Sequence, residues 1–365
     1  MKNLGVFLAI GESFKDFRSK GQDDLIIKQN LFWYKNSFDH VYVLSYANES
    51  FSPINGVTIL PNRWKLHRFL YAFLIPILYR QQVDECSVFR GLQLSGGIPG
   101  IISTLFFKKP LVINYGYRYS EYALKEKKIV QFLLFKYIEP IIISLSTKII
   151  ITTNELTQYL VRSYSCRSKL VLIPNGVDTK LFRPVNIKKK KNSIVYVGRL
   201  EEMKNLKNVI YAISLIPFKV KAEFFGIGSM DEELRILARN QNVDLTIHKP
   251  VPHSKLPKYL NQFSVFILPS LEEGHPKALL EAMACGLGVI GTRVRGIKNL
   301  IQPNVTGILC GTSPQSIAES ITYLFKYPQT VKKLGKNARM YIKKNFDLRV
   351  TFSKETTLLK SLSEI

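Results

Sequence analysis

The 365-residue sequence is short of cysteine, short of acids and without any long apolar run, and each shortage excludes something. Its four cysteines, Cys86, Cys166, Cys285 and Cys310, stand far apart with no Cys-x-x-Cys pair. That argues against a zinc site and a disulfide framework and fits a reducing cytoplasm. No run of about 18 apolar residues occurs, so no membrane span is expected, and Leu4 to Ile10 is too short for a signal-peptide core and reads as a first strand. Acids number 27 against 52 lysines and arginines, a formal net charge of +25. Such a balance implies an acidic partner: nucleotide phosphates, anionic lipid headgroups or nucleic acid. Nucleic acid is the poorest of the three, because no nucleic-acid motif is found and the aromatics do not interleave with the basic runs.

What the chain does contain is alternation. Apolar runs near 4–10, 40–45, 57–60, 87–89, 111–114 and 148–152 are separated by helical stretches near 21–36, 63–82, 97–107, 123–145 and 154–163. This is the pattern of a doubly wound α/β domain. A second series of strands follows near 169–173, 194–198, 220–225, 244–248, 264–268, 288–292 and 307–310. Two domains are therefore expected, 1–168 and 169–346, with a terminal helix near 347–365 packing back on the first. The lysine run in "FRPVNIKKKKNS", 182–193, reads as the break between the two series.

Ligands of open parallel sheets bind beyond the carboxyl ends of the strands, so the strand ends of the second series carry the search for a site. One strand ends at Gly198, placing Arg199 and Lys204 on the loop into the next helix, where they suit a diphosphate. The next ends in Gly226 and Gly228, glycines that let backbone approach a ligand closely, before a helix capped by Ser229 or Asp231. A third, Val265 to Leu268, empties into "PSLEEGHPKALLEAMACGLG". There Glu273 lies in a loop, Pro276 opens a helix over about 276–285, and Gly286 closes it. Glu281 sits inside that helix among Ala278, Leu280, Ala282 and Met283, where a covered carboxylate needs hydrogen-bond donors. Singly, Lys204 reads as a solvated lysine, the Gly-x-Gly as a turn and Glu273 as a loop acid. It is their convergence on one end of one sheet that makes a site.

Three stretches, "VYVGRLEEMKN", "EEGHPKALLEAMACGLGVIGT" and "IPNGVDTKLFRP", resemble the retaining glycosyltransferases of family 4, whose fold is GT-B: two Rossmann-like α/β domains facing across a cleft. The resemblance covers most of 169–310 and is weaker over 1–165. It implies that Glu281 accepts hydrogen bonds from the donor ribose, and that Glu273 lies by the donor sugar. It further implies that Gly274, His275, Pro276, Lys277, Ala278 and Leu279, at the helix start, face the sugar and phosphates, while Arg199 and Lys204 neutralise the diphosphate. His275 would wall the donor pocket. No Asp-x-Asp motif is present, so a metal-independent hexosyltransferase is implied, with no cofactor beyond the nucleotide-sugar co-substrate.

Some positions depart from the family pattern. Tyr115-Gly116 stands where family members carry His-Gly, Arg295-Gly296 and Asn299 replace a Gly-Gly and Glu, and Gly11 and Gly21 bracket an atypical acceptor-side loop. His40, His67, His248 and His253 show no clustering in the sequence. The stretch "RWKLHRFLYAFLIPILYR", 63–80, is expected to bury its apolar face in the core and turn a basic rim to anionic lipid. Together these readings imply transfer from a UDP- or GDP-sugar to a lipid-linked or polysaccharide acceptor in envelope synthesis, peripheral on the inner face of the membrane. The alternative is a catalytically silent subunit supporting a partner enzyme.

Overall fold

The computed structural model describes residues 2–19, 21, 30–50, 54–125 and 127–364. The chain forms two compact units, Met1–Pro174 with Thr351–Ile365, and Asn175–Val350. The first holds a wholly parallel sheet of β1 (Asn3–Phe7), β2 (His40–Leu44), β3 (Val57–Leu60), β4 (Cys86–Gly91), β5 (Leu111–Tyr115), β6 (Lys148–Ile151) and β7 (Leu170–Leu172), in the order β3-β2-β1-β4-β5-β6-β7. The second holds β8 (Ser193–Val197), β9 (Lys221–Phe225), β10 (Asp244–His248), β11 (Val265–Leu268), β12 (Gly288–Thr292) and β13 (Ile308–Cys310), ordered β10-β9-β8-β11-β12-β13 and again parallel. Both are doubly wound, with strand order reversing beside β1 and beside β8. The reversal opens the crevice in which such sheets take ligands.

The central strands are apolar because both sheet faces are covered. β11, Val-Phe-Ile-Leu, is buried at every residue and belongs to one core with Leu279, Leu280 and Met283 of the helix that follows it. The first unit has its own core, in which Phe7, Phe89 and Ile113 of the sheet meet Tyr71, Ile75 and Ile142 of its helices.

The domain boundary differs from the sequence expectation. Leu170–Leu172, which the sequence pattern places in the second series, pairs with β6 and completes the first sheet. The lysine run is not the division either. Lys190 donates its backbone N–H to Gln262, Lys189 donates its ammonium to the Phe263 carbonyl, and Val185 is held by Asn261, so 185–190 is laid along the second unit. From Thr351 onward the terminal helix Leu348–Leu362 belongs to the first unit: Phe352 stacks on Trp33, and Glu355 takes the Tyr34 hydroxyl at 2.6 Å and the buried Arg90 guanidinium at 2.7 Å.

Two long helical expectations are each split. The 63–82 stretch forms Arg68–Leu78 and Arg80–Asp84, and 123–145 forms Tyr119–Lys125 and Ile129–Leu145, separated where Lys127 takes a left-handed φ of 56°. Of the expected 21–36 helix, Phe32–Lys35 is observed, and 22–29 lie outside the described residues.

Candidate functional site

Four strand-end loops of the second unit are tied into one surface. After β8, Gly198 donates its backbone N–H to the Phe225 carbonyl, and Leu200 donates to Ile227 and accepts from Met230, so the loops after β8 and β9 run side by side. The approach is close enough that a Cβ on Gly226 would lie 1.8 Å from the Gly198 oxygen, and one on Gly228 would lie 2.1 Å from the Leu200 oxygen. These glycines are thus required by the chain's own packing, a reason different from ligand approach. The β11 loop joins them: Leu271 donates to Met203, and Asn205, itself left-handed at φ 56°, donates its side-chain amide to the carbonyls of Pro269 and Thr312.

Into this frame the sequence places its two charged candidates, 69 residues apart. The Lys204 ammonium lies 2.6 Å from Glu273 Oε1, and the Ser270 hydroxyl donates to the same oxygen at 2.7 Å. Both ion-pair partners are largely covered, with 13% of each side chain exposed. Ser270 is itself buried, and its carbonyl is fixed by the Thr292 hydroxyl at 2.5 Å. On the other side of Glu273 runs the loop after β12. Gly296, at φ +80°, would drive a Cβ to within 2.4 Å of the backbone carbonyl oxygen of Glu273 and 2.3 Å of that of Gly274. The departure Arg295-Gly296 therefore supplies the glycine that lets this loop pass close against the backbone of Glu273 and Gly274.

The helix begins at Lys277, with Pro276 as its N-cap, one residue later than the sequence reading placed it. No side chain caps it. A helix start without a side-chain cap presents backbone N–H groups and the positive end of its dipole, which suit an anion. Gly274 and Ala278 are half-buried and Lys277 is exposed, but the Leu279 side chain is packed wholly in the core, so only its backbone faces the loop end of the helix. Arg199 is exposed on the β8 loop, and its carbonyl accepts the Tyr196 hydroxyl.

His275 is buried, its carbonyl held by the Asn175 side chain at 2.6 Å and its ring 5.4 Å from that of Phe346. Its Nδ1 has no hydrogen-bond partner. Burial, with the Lys277 charge behind it, pushes its pKa down to about 4, so the ring is neutral at pH 7.

Glu281 is buried one helical turn further in, and its Oε1 lies 2.7 Å from His253 Nε2. His253 is also buried, against Phe182. His253 and Glu281 are 28 residues apart in sequence and in contact in the fold. Sequence reasoning missed the roles of His253, Ser270, Asn175 and Gly296. Asn175 and Ser270 lay within stretches already singled out and Gly296 within a departure from the family pattern, whereas His253 carried no local signal.

The first-unit candidates are placed differently. Tyr115 ends β5 fully buried, donating to Glu139 at 2.5 Å. Its side chain thus points into the core, with its hydroxyl taken up by Glu139. Gly116 has open space where a Cβ would stand. Gly11 and Gly21 both have positive φ, and the loop between them folds into the short helix Phe14–Ser19, whose first amides of Phe14 and Lys15 are accepted by Glu49.

The family model for glycosyl transferases group 1 matches residues 177–341. An UDP-Gal:alpha-D-GlcNAc-diphosphoundecaprenol alpha-1,3-galactosyltransferase of Escherichia coli is 30% identical over 235 residues, 58% of this chain and 59% of that protein, so the match spans less than two thirds of its length. The capsular polysaccharide biosynthesis glycosyltransferase CapM of Staphylococcus aureus is 24% identical over 96% of this chain and 95% of its own. Among solved structures, sucrose-phosphate synthase from Thermosynechococcus elongatus superposes with a TM-score of 0.83 at 19% identity, covering 99% of both chains.

Proposed function

We propose, for a chain whose residues 177–341 are a group 1 glycosyltransferase domain on a GT-B fold, that it moves a hexosyl group from a nucleotide-sugar, UDP- or GDP-linked, to a lipid-linked or glycan acceptor with retention at the anomeric carbon. The observation that carries the reading is the meeting of Lys204 and Glu273 beside the uncapped start of the helix that bears Glu281. Lys204, Arg199 and the helix amides are the cations and dipoles that a departing diphosphate needs, so no metal is required. Glu281, fixed by His253, is the acceptor for ribose hydroxyls.

In the step proposed, the bond from the anomeric carbon to the diphosphate oxygen breaks, the acceptor hydroxyl oxygen bonds the same face of that carbon, and its proton passes to the leaving phosphate. Charge developing on the sugar ring lies near Glu273 and charge on the phosphate near Lys204, so each group gains interaction as the transition state forms. The UDP-Gal donor and diphosphoundecaprenol-linked acceptor named for the Escherichia coli relative support a UDP-sugar donor and a lipid-linked acceptor.

A thermal-shift panel of UDP, GDP, ADP and their sugars tests this directly, since a ligand at a hundred times its Kd stabilises by about 2.7 kcal/mol. One nucleotide series should raise Tm. No shift with any of them contradicts a donor site, and donor binding without transfer or hydrolysis selects the silent-subunit reading.

A further inference from the structure

We propose that one face of the first unit docks on an anionic lipid bilayer, with the helix Ile129–Leu145 lying in the membrane plane beside Arg68–Leu78 and the end of Gly97–Phe107. It rests on the reading above only in taking a lipid-linked acceptor, and it names the surface through which that acceptor is reached.

The central observation is that Ile129–Leu145 is turned inside out. Its sequence, IVQFLLFKYIEPIIISL, is apolar around its whole circumference, the composition of an interior helix. Yet its buried residues are only Glu139, Ile142 and Ile143. The one acid faces inward, taking the hydroxyls of Tyr115 and Tyr164, while Val130 is 81% exposed, Tyr137 67%, and Leu133, Ile141 and Leu145 are exposed with them. An arrangement with the carboxyl inside and the leucines outside costs free energy in water and is relieved where the outside is hydrocarbon.

The patch does not stop at this helix. Gly97–Phe107 packs against both Ile129–Leu145 and Arg68–Leu78 and exposes Leu105 and Phe106 at its end. Arg68–Leu78 adds Phe69, Leu70, Phe73 and Ile77. Exposed large apolar residues gathered on three helices, two of them packed against the third, mark an interaction site.

Charge decides what covers it. Across the three helices the only acid is the buried Glu139. The exposed Lys127 and Lys128 lead into the long helix, Lys136 lies on it, Lys108 follows Phe107, and the Arg68 guanidinium stands 5.3 Å over the Phe69 ring. A second copy would bring the same positive rim against this one, in a chain already at +25, whereas anionic headgroups complement it. Seventeen residues of helix reach about 25 Å, short of the roughly 30 Å hydrocarbon core. No helix among the described residues is long and apolar enough to cross a membrane. In-plane burial of the apolar face with lysines at headgroup level is what remains.

The expectation for 63–80 changes accordingly: its apolar residues are divided between core and exposed face, and the larger share of the surface comes from 129–145, a stretch to which the sequence had given no role.

The test is flotation of the full chain with vesicles of phosphatidylcholine alone and of phosphatidylcholine with phosphatidylglycerol. The parent should bind the anionic vesicles and release them as salt rises. The variant Val130→Gln/Leu133→Gln/Tyr137→Gln/Ile141→Gln should lose at least about tenfold in vesicle affinity, with unchanged Tm, unchanged light-scattering mass and unchanged binding of whichever nucleoside diphosphate stabilises the parent. Vesicle binding equal to the parent's overturns the proposal, as does equal binding of the parent to neutral and anionic vesicles. A parent dimer that the variant converts to monomer also overturns it and gives the face to a second copy. If neither protein binds any nucleotide, the glycosyltransferase reading fails while the vesicle result still stands by itself.

Discussion

Lys204 Nζ and Glu273 Oε1 are 2.6 Å apart, a contact that joins the loops after β8 and β11 at the point where the helix of Glu281 begins. Each is the other's charged partner, and the Ser270 hydroxyl donates to the same glutamate oxygen. Lys204→Met and Glu273→Gln should therefore each lower turnover, and the double variant should lose clearly less than the sum of the two. A coupling of roughly 0.5 to 3 kcal/mol is expected for groups in direct contact. Donor hydrolysis rates of the four proteins give it, and strictly additive losses would show that the pair does not act as a unit.

The close approach of the β12 loop gives a second prediction. Gly296→Ala places a Cβ against the Glu273 and Gly274 oxygens at a positive φ, so it should cost about 2 kcal/mol or more and disturb the glutamate with it. Gly116→Ala meets nothing within 4 Å and should stay within about 0.5 kcal/mol of the parent. Denaturant melts of both variants check this, and equal stability of the two would remove the steric role assigned to Gly296.

His275 makes stability depend on pH. Its folded pKa, about 4, lies below the unfolded value of 6.5, so the unfolded chain binds more protons between them. The contribution is complete above 6.5 and is lost as pH falls toward 4, by about 3 kcal/mol. His275→Gln should lack this part of the slope. Urea unfolding of parent and variant at pH 7 and pH 4 measures the difference, and parallel losses in the two would contradict a buried neutral imidazole.

Because lysine, arginine and helix amides face the diphosphate in this account, transfer should persist in excess chelator. Loss of turnover on chelation, restored by manganese, would mean that a cation supplies part of the charge assigned to Lys204 and Arg199.

Much of this was legible in the sequence, and for a physical reason. β11 and β12 are buried on both faces and announce themselves as apolar runs, and Gly286, left-handed at φ 74°, marks the helix end that glycine signals. What was illegible depends on long-range partners. Nothing near His253 points to Glu281, and nothing near Leu170 says that it pairs with β6 and not with a strand of the second unit. Tyr115 looked like a substitute for a site histidine because its position on β5 was readable, while the direction of its ring, settled by Glu139, was not. In the same way, 129–145 read as a helix, but which of its faces met the core could not be told from a pattern that is apolar all round.

The central claim is that Glu281 holds the nucleotide and Glu273 serves the sugar, and calorimetric titration of the bare nucleoside diphosphate into three proteins tests it most directly. Glu281→Ala should weaken binding by roughly 1.5 to 3 kcal/mol, a hydrogen bond to a charged group lost without any sugar present. Glu273→Ala should bind the diphosphate almost as the parent does and yet turn over the sugar donor far more slowly. Parent-like diphosphate affinity and parent-like turnover in both variants would contradict the account, leaving the two glutamates as structural acids and the donor site unassigned.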